Sequence, residues 1–377
     1  MKARICFFVL CVVFVVTNTV RAENKTVEEV DAKSYILMEH STGRVLAEDK
    51  ADEKLPIASV TKIMTMLLIM EEIENKTLKW DDLVTVSDNA MSYGGSTMFL
   101  ESGEQLPVSD MLKGIAVASA NDGCVAMAEH IAGSESEFVT KMNEKAAQLG
   151  MNNTNFVNTN GLDEENHYSS ARDVAIMSSE LLRYPEITKY TSIWTDELRG
   201  GKFQLANTNK LVRFYSGANG LKTGSTFAAL CCLSASAKRD DMQLIAVVLG
   251  SPTSDKRFSS ARALLDYGFA NYKIRKLISE GEELCDVDIV NGVDETIKGI
   301  AKESKTYLSE KSNKDDVQKR VFVNSDLTAP IKKGDNLGKM EFAINGKTID
   351  SVDIVASCDV EKKGVAQIIR DIAIGFL

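Results

Sequence analysis

The sequence predicts an α/β sandwich whose two terminal segments share one sheet, followed by a small all-β module. Three observations predict it. A hairpin pattern near the start is followed by an α-rich stretch from residue 59 to about 195, and then by apolar strand patterns and a helix up to Tyr267. After Tyr272 the pattern changes to short runs of alternating apolar and polar residues. The chain has 377 residues, 44% hydrophobic and 26% charged, an ordinary globular composition with room for more than one domain.

Taken in order, Lys2 and Arg4 precede a 12-residue apolar run, Ile5 to Val16, and then the small-residue end Val20-Arg21-Ala22. That is the pattern of a secretory signal peptide, with cleavage expected after Ala22. A retained membrane anchor is the alternative, against which the shortness of the run argues. Removing Lys2, Arg4 and Arg21 and no acid takes the net charge from −10 to −13. An acidic exported chain is a poor candidate for nucleic-acid binding. Five cysteines then remain, an odd number without a C-x-x-C, which argues against a disulfide scaffold and a zinc site. Cys231 and Cys232 read as core residues; Cys285 and Cys358 could pair, and the sequence does not decide it.

Ser34–Met38 and Arg44–Ala47 read as strands around a His40-Ser41-Thr42-Gly43 turn. Helices are expected from Ser59, over 110–117, from Cys124 through Ile131, and over 137–150 and 170–183. Strand character returns over 222–237 and 242–249, with Phe227 to Leu233 read as one apolar strand, and a last helix over about 259–267. Residues 276–360 read as β, with turns at Asn291-Gly292, Lys333-Gly334 and Asn345-Gly346. The expected division is a signal peptide at 1–22, a catalytic domain at 23–273, a β domain at 274–361 and an amphipathic tail at 362–377.

The chemistry centres on Ser59-Val60-Thr61-Lys62, the one S-x-x-K in the chain. Residues three apart share a helix face. The apolar run Ile63 to Met70 that follows implies that this helix is buried. A lysine beside a serine at the start of a buried helix can take the hydroxyl proton if its pKa is lowered by burial or by a second cation. By itself the pair is equally an N-cap serine followed by a surface lysine. Two more motifs follow in order. Ser119-Ala120-Asn121 lies in a loop between helices, where a hydroxyl and an amide can contact the lysine and orient a substrate amide. Lys222-Thr223-Gly224-Ser225 enters a strand, offering a cation, a hydroxyl and a glycine that lets a substrate backbone approach. Each alone has an ordinary reading as a cap or a turn, and Ser87-Asp88-Asn89 is a second S-x-N. His40, His130 and His167 read as structural, and no G-x-S-x-G is present, which leaves Ser59 and Lys62 as the nucleophile–base pair.

The set Ser59-x-x-Lys62, Ser119-x-Asn121 and Lys222-Thr223-Gly224 resembles the signature of penicillin-recognising serine enzymes. In detail the chain resembles the low-molecular-mass penicillin-binding proteins, the serine-type D-alanyl-D-alanine carboxypeptidases. Further matches are Thr42 to Leu46, Asp122 after the second motif with Ala128 to Gly133, Gly161-Leu162 with Tyr168 to Asp173, Leu233 to Arg239, Arg257 seven residues after Gly250, and Ala329 to Gly334. The resemblance implies an antiparallel sheet with helices on both faces, an all-helical subdomain and a small C-terminal β domain. It implies that Ser59 attacks the carbonyl between the last two D-alanines of a peptidoglycan stem peptide, with Lys62 as base and its ammonium form disfavoured by Lys222. Ser119 and Asn121 would relay protons and hold the peptide. Backbone N–H groups of Ser59 and Ser225 would form the oxyanion hole, and Thr223 and Arg257 would bind the terminal carboxylate. β-Lactams would acylate Ser59, and no metal or organic cofactor is implied. Some relatives carry histidine at the place of Ser225, which bears on deacylation. A β-lactamase on the same scaffold is an alternative, but those of class A need an E-x-x-L-N segment that is missing here. A non-catalytic cell-wall-binding protein is another, against which the intact motif set argues.

The tail, residues 364–377, places Val365, Ile368, Ile369, Ile372, Ala373 and Phe376 on one helical stripe, with Lys362, Lys363 and Arg370 beside it. It is too short to span a bilayer. A terminal helix packed on the β domain and an interfacial anchor on the membrane surface are both compatible with the pattern, and the resemblance favours the anchor.

Overall fold

The computed structural model describes residues 27, 30–313 and 316–375. The expected signal peptide therefore lies outside the described residues. A five-stranded antiparallel sheet organises the first part: β1 (Ser34–Glu39), β2 (Val45–Asp49), β3 (Ala218–Thr226), β4 (Leu230–Arg239) and β5 (Met242–Ser251), in the spatial order β2-β1-β5-β4-β3. The hairpin and the late strands thus meet as β1 against β5, with Leu37 opposite Ala246.

Alternation along the strands assigns a core to each face. Ile36, Met38, Ile245, Val247 and Leu249 face one core, which includes Val174, Met177 and Leu181 of the helix Ala171–Leu182. Tyr35, Leu37, Leu244, Ala246 and Val248 face the other, with Phe258, Ala261, Leu264 and Leu265 of the helix Ser254–Asn271. The first core continues into a helical layer built on α1 (Lys62–Glu74), whose residues from Lys62 to Met70 are all buried. The helices Asn121–Ala132 and Glu135–Gln148 complete that layer. This sandwich with its helical layer is the predicted fold class.

Two local readings change. The stretch 222–237 is two strands, with a turn at residues 227–229 instead of one apolar strand through Phe227. Phe227-Ala228-Ala229 carries none of the usual turn residues. A distant side chain makes the turn: Asp163 accepts from Thr226 Oγ1 at 2.6 Å and from the Ala228 N–H at 3.3 Å. The helix expected over 110–117 is α only over Val108–Lys113 and continues as a π-type turn, Gly114–Ala118, which ends at Ser119 with φ +64°.

The second part holds a two-strand ladder, Tyr272–Ile278 with Lys305–Glu310, and a five-stranded antiparallel sheet. That sheet orders Glu283–Asp288, Thr296–Ala301, Lys347–Ala356, Asn336–Ile344 and Val317–Val323 side by side, over a core of its own that includes Leu337, Phe342 and Ile354. The described cysteines are all free thiols, Cys285 and Cys358 included. The chain then forms the helix Val365–Gly375. Among the described residues no helix is long and apolar enough to cross a membrane.

Candidate active site

Ser59 sits in a tight turn, Ala58–Thr61, that runs directly into α1. Lys62, on the first turn of that helix, is wholly buried. Its Nζ reaches Ser59 Oγ at 2.8 Å, Asn121 Oδ1 at 2.7 Å and the Asn160 carbonyl at 2.6 Å. These three oxygens come from the turn before α1, the first residue of the Asn121–Ala132 helix, and a loop between two others. An ammonium would donate all three hydrogens here. A neutral amine would keep its bonds to the amide and the carbonyl, which cannot donate, and turn its lone pair to the one partner with a proton to give, the serine hydroxyl. Burial pushes Lys62 down to about 8, while the nearby Cys124 and Asp122 act the other way.

Lys222, also buried, donates to the Thr223 carbonyl at 3.1 Å. It is held well below its usual range, first by burial and then by the charge of Lys62. The main cause of the lowered Lys62 pKa is its own desolvation, one of the two causes that the sequence allows.

Close backbone contacts hold the site together. Gly224 brings β3 against the nucleophile turn: a Cβ there would stand 2.7 Å from the Ile57 carbonyl and 3.0 Å from the Ser59 nitrogen. Gly161, at φ +86°, does the same for the loop carrying Asn160, since its Cβ would fall 1.9 Å from the Ala58 carbonyl oxygen. On the other edge of β3, Arg257 donates to the Gly224 carbonyl at 3.1 Å and the Cys232 carbonyl at 3.4 Å. It also donates to Ser254 Oγ, and its Nε has no partner. Lys62, Lys222 and Arg257 are three buried cationic side chains, and none makes a salt bridge among the described residues. Thr223 Oγ1 bonds Thr208, and Ser225 is exposed at the open edge. Ser119 is buried in a left-handed backbone conformation, and its hydroxyl makes no hydrogen bond to Lys62 among the described residues.

Several supporting residues lie outside the expected set of site residues. Asn160 is one, recognisable only by its place before Gly161. Asp122 is buried and accepts from the Met98 and Leu100 N–H groups at 3.1 Å, which fixes residues 94–100 beside Asn121. Asn121 Nδ2 in turn donates to the Gly94 carbonyl at 2.7 Å. His167, read as structural, supports the nucleophile turn. Its Nδ1 accepts from the Val157 N–H at 3.1 Å, so the hydrogen lies on Nε2 and is donated to Thr61 Oγ1, which itself donates to the Ala58 carbonyl. Burial pushes His167 down to about 4, which keeps this neutral form. Among the described residues no group of His, Cys, Asp and Glu is placed to hold a metal ion.

Comparison with known proteins agrees with this geometry. Residues 18–253 match the family model described as D-alanyl-D-alanine carboxypeptidase, and residues 272–362 match the model for the C-terminal domain of penicillin-binding protein 5. The chain is 45% identical over 338 residues to the D-alanyl-D-alanine carboxypeptidase DacF of Bacillus subtilis (strain 168), covering 89% of this chain and 87% of the relative. It superposes on penicillin-binding protein 5 from Haemophilus influenzae with a TM-score of 0.74 at 34% identity, over 88% of this chain and 98% of that one. It also resembles penicillin-binding protein D2 from Listeria monocytogenes in the ampicillin-bound form, with a TM-score of 0.59 at 31% identity, over 64% of this chain and 98% of that one. The fold is that of a low-molecular-mass penicillin-recognising serine enzyme. The chain belongs to the D-alanyl-D-alanine carboxypeptidase family, and as a member it is a serine-type hydrolase.

The lowered Lys62 pKa has a stability consequence. Between about 8 and the ordinary 10.5 the unfolded chain holds a proton on Lys62 that the folded chain has released. Stability from this group therefore rises with pH across that window, by at most about 1.4 kcal/mol per pH unit. Urea unfolding of the wild type and Lys62→Met from pH 8 to 10 is expected to show a smaller upward slope in the variant. Equal slopes would mean that Lys62 stays charged in the fold.

Proposed function

We propose that the carboxypeptidase reaction runs through an acyl-enzyme on Ser59, with Lys62 as the general base. The observation that carries this reading is the three-way bonding of Lys62 Nζ to Ser59, Asn121 and Asn160, in full burial. Neutral Lys62 takes the Ser59 proton as Oγ attacks the carbonyl of the penultimate D-alanine. The oxyanion is received by the Ser59 and Ser225 N–H groups, a role supported by the approach of Gly224 to the Ser59 nitrogen. Asn121 holds the substrate amide, and Ser119 passes the proton taken from Ser59 to the leaving nitrogen once substrate bridges the site. D-Alanine departs, and water hydrolyses the ester to regenerate Ser59. A β-lactam opens by the same attack and stays on Ser59.

The leaving residue carries a free carboxylate, and Thr223 and Arg257 are its proposed receptors on β3. Support comes from Arg257 itself, a buried cation with an unpartnered Nε and no acidic partner among the described residues. Such a group strengthens its binding of an incoming carboxylate, because no other anion competes for it.

Residues 1–22 are proposed to direct export, so that the enzyme works outside the cytoplasm, on peptidoglycan. The division at 273/274 is proposed to separate the catalytic domain from a β domain that ends at 361. The tail is proposed to lie in the outer face of the cytoplasmic membrane. Val365 and Ile369 are 75% and 63% exposed, so this part of the stripe does not pack on the β domain. The helix Val365–Gly375 has 11 residues, about 16 Å, half of a bilayer core. Such a helix can lie in the interface with Lys362, Lys363 and Arg370 toward anionic headgroups.

Ser59→Ala, which removes one hydroxyl, is expected to stay folded and to lose both labelled-penicillin binding and D-alanine release. A penicillin adduct located by mass spectrometry on any other serine overturns the assignment. Arg257→Ala is expected to lower kcat/KM on peptides with a free C-terminus by on the order of 100-fold, and much less on C-terminally amidated analogues. Equal losses would make Arg257 a support for β3 alone. A protein ending at Lys363 is expected to turn over soluble peptide normally and to stop cosedimenting with anionic vesicles; undiminished cosedimentation would refute the anchor.

A further inference from the structure

Two of the three oxygens around Lys62 Nζ depend on segments that one distant carboxylate joins. The Gly94 carbonyl accepts from Asn121 Nδ2 and so turns the amide oxygen toward Lys62. Asn160 offers its own carbonyl. The residue just before each of these, Tyr93 and Thr159, bonds to Glu135. Glu135 Oε2 accepts from the Tyr93 hydroxyl. Its Oε1 accepts from the Thr159 hydroxyl at 2.8 Å and from the Thr159 N–H at 3.2 Å. The Thr159 carbonyl in turn accepts from Thr65 Oγ1 at 2.6 Å, one turn beyond Lys62 on α1.

Three donors converge on Glu135, and an acceptor-only group with two oxygens can take all three. Glu135 is also the first residue of the helix Glu135–Gln148, where the positive end of the helix favours any acid. Glu137 stands in the same first turn and is exposed, so helix stability alone does not call for Glu135 at this place. Other side chains anchor the two segments further out. Glu129 accepts from Ser87 and Asn89, Asp122 gathers Met98 and Leu100, and Asn143 bonds the Phe156 backbone twice. Among the described residues Glu135 is the side chain that bonds both Tyr93 and Thr159.

We propose that Glu135 is a positioning residue for the acylation of Ser59. It fixes the Gly94 and Asn160 carbonyls relative to each other, and through them keeps Lys62 Nζ aimed at Ser59 Oγ. This inference rests on the reading of Lys62 as the base. Loss of the carboxylate leaves each segment held at its outer anchors and lets the two carbonyls shift independently. The chemical step then slows while the noncovalent encounter with substrate is unaffected, because Glu135 itself does not meet the substrate.

The test measures labelled-penicillin acylation of the intact protein by rapid mixing, separating the noncovalent dissociation constant from the acylation rate constant. Glu135→Ala is expected to lower the acylation rate constant roughly tenfold and to leave the dissociation constant unchanged. Glu135→Gln, whose amide oxygen still accepts from Thr159, should recover most of the rate. Glu137→Ala, which removes the other acid of the same helix turn, should acylate like the wild type. Tyr93→Phe, which removes one hydroxyl and creates no cavity, should slow acylation in the same direction by a smaller factor. Wild-type rates in Glu135→Ala or in Tyr93→Phe overturn the inference, and so does an equal loss in Glu137→Ala. A wild type that penicillin does not acylate at Ser59 would overturn the Ser59–Lys62 reading itself.

Discussion

One amine, withdrawn from water and held by three oxygens, sets the terms for everything around it. Lys62 Nζ has Ser59, Asn121 and the Asn160 carbonyl as partners. A buried ammonium with no ion pair is costly, and the protein reduces that cost by lowering the pKa. The lowered pKa is what a base needs. The desolvation that penalises the folded state and the basicity that the proposed role of Lys62 requires are thus one physical effect. The rest of the domain keeps that point dry: α1 is buried along its first nine residues, and both flanking loops close over its start.

Holding three partners around one atom requires backbones to approach more closely than side chains allow. Gly161 lets the Asn160 loop touch the Ala58 carbonyl, and Gly224 lets β3 touch the Ser59 nitrogen. A second tier fixes those approaches. Neutral His167 acts through Thr61 on the Ala58 carbonyl, and Asp122 gathers the N–H groups of Met98 and Leu100 so that the Gly94 carbonyl meets Asn121. None of these side chains needs to meet substrate. They convert a flexible turn and two loops into a rigid frame, which is the condition for electrostatic preorganisation.

The charge distribution follows the same logic. A chain with net charge −10 places Lys62, Lys222 and Arg257 in one buried region, none of them in a salt bridge among the described residues. Burial lowers the proton affinity of all three, and at Lys222 the charges of Lys62 and Arg257 add to it. Under the proposed reading, a substrate carboxylate reaching Arg257 would meet no competing acidic partner among the described residues.

Sequence alone determined the chemistry and the outline of the fold. The spacing of Ser59 and Lys62 puts both on one helical face, and the apolar run after them forces that helix inside. Alternation along 34–38 and 242–249 requires a sheet with two covered faces, as β1 and β5 have. These are local patterns, and local patterns are legible without coordinates. Tertiary structure decided what depends on distant residues meeting. Asn160 is tied to the site through its backbone carbonyl, which any residue possesses, so its identity carries no signal. The turn at Phe227 exists because Asp163 reaches it from another loop. Burial of Lys62 lowers its pKa, and burial is a property of the whole packed domain.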